Sequence, residues 1–239
     1  MTASGLIVLD DEAAVASRAA EWFVSAVEAV RSPAAVCLSG GSTPRALYAL
    51  LASDAYAARV PWQHLHWFWG DERFVPYDDP RSNYAMAKAA LLDRVPIPAA
   101  NIHPVDTALA DPLTAARAYE ATLAAFRAAS RTEAGPTLFV ATLLGVGTDG
   151  HTASLFPGSP LLDETEHWVA ASVGERPEAR ITLTYVALDR SAAVAFLVCG
   201  SEKKSIMSQI AAGADVPAAR VRPIGTLTWL IDRAAAPDR

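Results

Sequence analysis

The sequence has few cysteines and few charged residues, and each shortage argues against a class of protein. Its 239 residues include 2 cysteines, Cys37 and Cys199, both in apolar runs typical of strands. This disfavours a disulfide-built extracellular fold and favours free buried thiols. Charged residues make up 19% of the chain, with a formal net charge of −6. No strong positive field is present, so a nucleic-acid partner is not expected.

The sequence also lacks a long hydrophobic run. No apolar stretch is long enough to cross a bilayer, and the first apolar segment has no basic flank and is followed at once by Asp10, Asp11 and Glu12. We therefore expect a cytoplasmic protein with no membrane partner.

Apolar residues, by contrast, are abundant. They form 52% of the chain, enough for one sizeable core, and we expect a single domain over residues 1–239. Apolar strands alternate with helical patterns, which predicts an α/β fold with a mostly parallel sheet and helices on both faces. The predicted strands are 6–9, 34–38, 65–69, 138–144, 167–172, 180–185, 193–198 and 227–231. The predicted helices are one capped by residue 10 or 11, one over 44–52, one capped by residue 82 or 83 that runs through 92, one from 111–112 towards 129, and one over 203–212.

Polar, glycine-containing stretches follow four of the predicted strands, at Leu38, Trp69, Leu144 and Val198. Ligands in such sheets bind outside the carboxyl ends of the strands. The sequence therefore predicts that these four stretches meet at one edge of the sheet.

The first of these stretches is SGGST, residues 39–43. Thr43 suits an N-cap and Pro44 the first helical position. Gly40 and Gly41 let the backbone approach a ligand closely. The hydroxyls, the free N–H groups and the helix dipole together indicate an anion site, although an ordinary capped helix after a tight turn explains the motif equally well. The stretch is neither a Walker A loop nor a nucleophile elbow.

The second is GVGTDGH, residues 145–151. It matches the dinucleotide pattern G-x-G-x-x-G, but Pro157 and Gly158 interrupt the helix which that fingerprint requires. We interpret it as a contorted loop that presents Asp149 and His151, with the carboxylate orienting the imidazole as a general base. The alternative is a structural turn with a solvated histidine.

Four further sets of residues indicate a function less specifically than these two stretches. Arg73 in the DER stretch, residues 71–73, could bind an oxyanion, or the stretch could be a solvated charge cluster. His64 and His66 would share one face of a strand, but no third ligand is suitably spaced, so no metal is expected.

Arg180 and Lys203 lie near a strand start and a helix start. A lysine at a helix N-terminus opposes the dipole unless an anion lies nearby, which favours a phosphate-bearing ligand. A lysine that extends into water is the alternative.

Several stretches resemble one family in order and spacing. They are LSGGSTPRALYALL, WGDERFVPYDDPRSNYAMAKAALL, GVGTDGHTASLFPGSP, RITLTYVALDRS, FLVCGSEKKSIM and GTLTWLID. Together they resemble the 6-phosphogluconolactonases of the pentose phosphate pathway, over about Leu6 to Ile231. The resemblance implies a Rossmann-like α/β fold shared with glucosamine-6-phosphate isomerase/deaminases, with no metal and no organic cofactor.

The resemblance also implies roles for individual residues. It places the substrate phosphate at the corner 41–43, with Arg180 and Lys203 closing over it, and Lys203 rather than Lys204 is an inference from alignment. It places Arg73 near the lactone and makes His151 the base. The candidate residues are, for catalysis, His151, Asp149 and Arg73, and, for substrate and phosphate binding, Gly40, Gly41, Ser42, Thr43, Asp71, Arg180 and Lys203.

The implied activity is hydrolysis of 6-phospho-D-glucono-1,5-lactone by a monomer whose partner is this small molecule. One alternative is an amino-sugar-phosphate isomerase/deaminase, whose relatives carry a carboxylate five positions beyond the histidine, where this chain has Phe156. Another is a non-catalytic sugar-phosphate sensor, which would keep Thr43, Arg180 and Lys203 but would not need His151.

Overall fold

The computed structural model describes residues 5–130 and 136–237. The strands of these residues are β1 Leu6–Leu9, β2 Ala34–Leu38, β3 Leu65–Trp69, β4 Asp71–Arg73, β5 Phe139–Leu144, β6 Val169–Ser172, β7 Arg180–Leu183, β8 Ala193–Val198 and β9 Thr226–Asp232. The α-helices are α1 Glu12–Val27, α2 Ser42–Leu51, α3 Asp54–Ala57, α4 Asn83–Ala87, α5 Pro112–Ala129, α6 Tyr185–Leu188, α7 Lys204–Ala211 and α8 Pro217–Arg220. A π-helical turn, Lys88–Leu92, extends α4, and 3-10 turns lie at Trp62–His64, Ala99–Asn101, Pro160–Asp163 and Ser201–Lys203.

Six strands form one parallel sheet in the order β1-β9-β8-β5-β2-β3. The predicted α/β class and mostly parallel sheet are confirmed. In the described ranges no helix combines the length and the apolar character needed to cross a membrane.

The sheet is covered on both faces because alternate residues of each strand point to opposite sides. Along β3, Trp67 and Trp69 pack into one core layer with α1 and α2, whereas Phe68 packs into the other with α5 and α7. Burial on both faces explains why these strands are continuously apolar.

Strands β4, β7 and β6 form a separate antiparallel sheet, in that order. The sequence predicted strands at residues 167–172 and 180–185 without assigning their partners, and in the structure both lie outside the parallel sheet. The second strand also ends at Leu183, because Tyr185 begins α6. This small sheet follows Gly70, whose N–H donates to Leu38 O and whose carbonyl accepts from Leu183 N. It therefore lies at the carboxyl ends of β2 and β3.

The chain reverses its direction across the sheet between β2 and β5. From β2 it proceeds to β3 on one side, whereas from β5 it proceeds to β8 on the other. Such a switch point opens a crevice outside the carboxyl ends of the two strands. The glycine-rich stretches after Leu38 and Leu144 flank this crevice, and neighbouring strands lie only about 5 Å apart.

Candidate active site

The corner after β2 differs from its prediction in the position of the cap. Helix α2 begins at Ser42, with Gly41 as its N-cap at φ 108°. The predictions of Thr43 as the cap and Pro44 as the first helical residue are therefore wrong. The glycine tolerates positive φ, which lets the helix start earlier. Pro44 still lies within the first turn, where its missing N–H costs no hydrogen bond.

No side chain caps α2. Three other helices, α1, α4 and α5, are capped by the side chains of Asp11, Ser82 and Asp111. The first N–H groups of a helix have no partner within it, and here Gly41 and Ser42 are exposed. The end of α2 thus presents unpaired donors, together with the positive end of the helix dipole, to the crevice.

A buried tyrosine fixes the shape of this corner. The Tyr48 hydroxyl donates to Ser39 O at 2.7 Å and accepts from Ser39 N at 2.9 Å. Ser39 is itself buried and its Oγ donates to Gly40 O. Its hydroxyl was expected to contribute to the anion site and instead forms part of the corner's internal structure.

The same corner contacts the end of β8. Burial raises the pKa of Cys199 to about 12, although a hydrogen bond with Thr43 opposes the rise. Both Cys37 and Cys199 are free thiols; Cys37 is buried as predicted, whereas Cys199 is only partly buried. The next residue, Gly200, donates its N–H to Asp232 at 3.1 Å. This bond holds the turn Ser201–Lys203, which ends in the N-cap of α7.

Two arginines stand side by side on the small sheet. Arg73 of β4 lies directly opposite Arg180 of β7. The Nε atoms of both are buried without a hydrogen-bond partner among the described residues. Burial and the neighbouring Arg73 charge lower the pKa of Arg180, even though Asp71 and Glu178 oppose the shift. Two adjacent cations with unpaired donors form a site that an anion would stabilise.

The two acids next to Arg73 are buried rather than solvated. Asp71 accepts from Ser154 Oγ at 2.6 Å and Asn83 Nδ2 at 3.3 Å, and its Oδ2 lies 4.0 Å from Arg180. Glu72 accepts from three groups at the start of α4, among them the backbone N–H groups of Asn83 and Tyr84, and from the backbone N–H of Arg73. The solvated-cluster interpretation of residues 71–73 is therefore wrong.

The loop after β5 folds tightly around an imidazole. His151 Nδ1 lies 2.5 Å from Asp149 Oδ1, and the backbone N–H of His151 donates to the same oxygen at 3.1 Å. A methyl group on Gly147 would lie 2.0 Å from Nδ1, so a glycine is needed there to admit the ring. The His151 side chain is 28% exposed and thus does not point into the core.

Asp149 bridges the histidine and an arginine that the sequence analysis missed. Arg176, from the loop between β6 and β7, donates to Asp149 Oδ2 at 2.5 Å. Burial raises the pKa of Asp149, but the hydrogen bonds from His151 and Arg176 outweigh it and lower the pKa overall. An ionised Asp149 can only accept, so Nδ1 of the imidazole must carry a proton. Its Nε2 is then free to act as a base.

Phe156 packs beneath both partners of Asp149. Its ring centroid lies 4.8 Å from that of His151 and 4.5 Å from the Arg176 guanidinium carbon. The position five residues beyond His151 is thus occupied by an apolar support.

Buried polar contacts join these loops into one site. Ser154 donates its hydroxyl to Asp71 and its N–H to Thr182 Oγ1, which attaches the histidine loop to the small sheet. Asn83 donates to Asp71 O at 2.8 Å and lies against Gly40, where a methyl group would be 1.9 Å from its Oδ1. The structure therefore places the corner, the arginine pair and the imidazole around the same crevice.

The histidines suspected as metal ligands do not share a strand face. His64 lies in the 3-10 turn before β3, so the expected pairing with His66 is wrong. His66 instead contacts His103, with Nδ1 and Nε2 2.9 Å apart. Among the described residues no cluster of three or more metal-ligating side chains occurs.

A cavity of about 750 Å³ lies elsewhere, lined by the end of α7, by α8 and by the amino-terminal half of β9. It shares no residue with the candidate site. Charged and polar groups converge instead on the crevice.

Comparison with known proteins gives a consistent result. The model of the family described as glucosamine-6-phosphate isomerases/6-phosphogluconolactonase matches residues 10–229. The chain is 45% identical to the 6-phosphogluconolactonase of Synechocystis over 213 residues, which cover 87% of this chain and 85% of that one. It is 39% identical to the Nostoc 6-phosphogluconolactonase, with 97% and 96% covered.

Solved structures agree. The Thermotoga maritima 6-phosphogluconolactonase superimposes with a TM-score of 0.81 at 30% identity, with 96% of this chain and 99% of that one covered. The resemblance found in the sequence motifs is thereby confirmed. The chain belongs to the glucosamine-6-phosphate isomerase/6-phosphogluconolactonase family.

Proposed function

We propose that this chain is a 6-phosphogluconolactonase, which hydrolyses 6-phospho-D-glucono-1,5-lactone to 6-phosphogluconate in the pentose phosphate pathway. The observation that carries the proposal is the Asp149–His151 pair, 2.5 Å apart, on the loop that follows β5. The uncapped end of α2 follows β2, the neighbouring strand. A general base and an anion site on adjacent strands suit a phosphorylated substrate with a reactive group at its other end.

The phosphate is proposed to bind at the corner 41–43. Helix N–H groups and the hydroxyls of Ser42 and Thr43 would donate to its oxygens, and Arg180 and Lys203 would supply positive charge. Asp71 would act through Arg180, whose guanidinium it faces at 4.0 Å. This remote binding fixes the position of the lactone carbonyl.

At the lactone end of the substrate, His151 is the proposed general base. Its Nε2 takes a proton from water as the water oxygen attacks C1 of the lactone. The carbonyl oxygen becomes an oxyanion, which Arg73 is placed to stabilise. The C1–O5 bond then breaks, and the imidazolium returns its proton to O5. A carboxylic acid and a free hydroxyl result, and the acid ionises in water.

The presence of Phe156 argues against the isomerase/deaminase alternative. Proton exchange at a sugar ring oxygen needs a titratable group near the loop histidine, and this ring instead packs at 4.8 Å from the imidazole. Incubation with glucosamine 6-phosphate should therefore release no ammonia.

The decisive test of the substrate compares two lactones in a rapid assay with freshly prepared substrate. Hydrolysis of 6-phosphogluconolactone should exceed the spontaneous rate, and unphosphorylated gluconolactone should be a poor substrate because it lacks the anion. Equal kcat/KM for the two would contradict the phosphate site. Absence of catalysis on either, with ammonia released from glucosamine 6-phosphate, would replace the proposal with the isomerase/deaminase activity.

We further propose that residues 1–239 form one catalytic domain that acts as a monomer in the cytoplasm. Both thiols are free, as a reducing compartment allows. Light scattering coupled to size-exclusion chromatography tests the oligomeric state, and a dimer mass would contradict it.

A further inference from the structure

We propose that Arg176 is a positioning residue that holds Asp149 and His151 in the arrangement needed for proton transfer. The inference rests on the proposed function and extends it to a residue that does not contact the reacting atoms. Arg176 lies in the loop between β6 and β7, 27 positions from Asp149, and the sequence motifs gave no indication of it.

The geometry assigns each oxygen of one carboxylate to a different partner. Asp149 Oδ1 bonds His151 at 2.5 Å, while Oδ2 accepts from Arg176 at 2.5 Å. With both oxygens occupied, the carboxylate cannot rotate away from the imidazole without losing a charged hydrogen bond. Arg176 therefore determines the direction in which Asp149 presents its acceptor.

Phe156 fixes the arginine on its other side. The guanidinium carbon lies 4.5 Å from the ring centroid, within cation–π range, and the same ring lies 4.8 Å from the imidazole. The aromatic ring is buried, with 5% of its surface exposed. It forms a rigid support for both Arg176 and His151, so loss of the arginine would release one side of the assembly.

The charge of Arg176 also affects proton affinity. Asp149 faces the imidazole from its own loop, Arg176 faces that pair from the loop between β6 and β7, and Arg73 and Arg180 stand on the neighbouring strands. A cation on Asp149 reduces the carboxylate's ability to hold a proton on His151. Removal of the cation should let the imidazole stay protonated to higher pH, which leaves less free base near neutrality.

The test uses Arg176→Met, which keeps an apolar side chain over Phe156, and Arg176→Lys, which restores the charge. Arg190→Met is the matched control, because Arg190 also covers an aromatic ring, that of Trp168, outside the crevice.

Because the Arg176 side chain is 38% exposed, we expect a moderate effect: kcat about fivefold lower in Arg176→Met, with KM nearly unchanged. The acid limb of the kcat/KM profile should rise by about half a pH unit and should return towards wild type in Arg176→Lys.

A second readout needs no substrate. NMR titration of the His151 ring should show proton uptake beginning at higher pH in Arg176→Met than in wild type, and no change in Arg190→Met. A shift in this titration in an enzyme without lactonase activity would retain the role of Arg176 while rejecting the proposed function. An unchanged titration, or kcat loss of the same size in both Arg176 variants with an unmoved acid limb, would overturn the positioning role.

Discussion

Two glycines shape this site because they are small enough to leave room for neighbouring side chains. At Gly147 and Gly40, an added methyl group would approach His151 Nδ1 to 2.0 Å and Asn83 Oδ1 to 1.9 Å. Both distances are far below van der Waals contact. The two glycines therefore admit neighbouring side chains, in addition to any freedom they give the backbone.

Replacement of Gly147 by alanine should displace the imidazole while leaving the fold intact, because the ring is partly exposed and can turn towards solvent. We expect kcat to fall about 100-fold, since a displacement of about 1 Å can cost that much. Gly145→Ala is the control, because nothing lies within 4 Å of its added methyl group. Equal kcat in the two variants would contradict a need for space at residue 147.

The sequence predicted Asp149 and His151 because two residues of one short loop reveal their pairing by spacing. It could not predict Arg176, since an ion pair between two loops leaves no periodic pattern in the chain. The burial of Glu72 was missed for a related reason. Its hydrogen-bond donors come mainly from the start of α4, about eleven positions later.

At the scale of elements, the corner between β2 and α2 is held by one hydroxyl. Tyr48 is fully buried and bonds both the N–H and the carbonyl of Ser39. Tyr48→Phe should leave both backbone groups unpaired and reduce the free energy of unfolding by about 1–3 kcal/mol. The corner should also loosen, which raises KM for the phosphorylated lactone.

Urea denaturation and initial-rate kinetics measure both effects. Tyr56→Phe serves as the comparison, since the Tyr56 hydroxyl bonds Glu21, whose side chain is 46% exposed, and we expect a change within about 0.5 kcal/mol. If Tyr48→Phe is no more destabilising than Tyr56→Phe, the tyrosine does not secure the corner.

Most elements were predictable because buried strands are apolar and helices carry recognisable caps. Helix α5, for example, begins after Asp111 with Pro112, as expected. The small sheet was not predictable as a sheet, since β4 has three residues, all charged. It forms because β7 supplies partners for its backbone, a pairing between segments about a hundred positions apart.

At the scale of the whole molecule, the sequence indicated that the glycine-rich stretches share one edge, and the parallel sheet confirms this. Strand order was not predicted. The switch between β2 and β5 depends on which strands pair, and apolar patterning alone does not encode that choice. This order places the loop after β5, with the proposed base His151, beside the corner after β2, where we propose that the phosphate binds.

Global stability should depend on pH through a histidine pair remote from the crevice. Burial lowers the pKa of His66, and burial together with His66 lowers the pKa of His103 from 6.5 to about 4. Between about pH 6.5 and 4 the unfolded chain binds more protons than the folded one, so stability should fall as pH falls. The rings are only about half buried, so we expect a loss of about 1–2 kcal/mol.

Urea unfolding at pH 7 and pH 5 measures this loss. His103→Gln should show a smaller difference between the two pH values than wild type, because one of the two depressed groups is gone. An identical difference in both proteins would assign the pH dependence to other groups.

The role of His151 as general base is tested by measuring kcat and KM for wild type and His151→Asn on freshly prepared 6-phosphogluconolactone, corrected for spontaneous hydrolysis. We expect kcat to fall about 100- to 10,000-fold, because a general base is lost, while KM stays within about twofold, because the proposed phosphate site at residues 41–43 is untouched. An unchanged kcat in His151→Asn would rule out His151 as the general base.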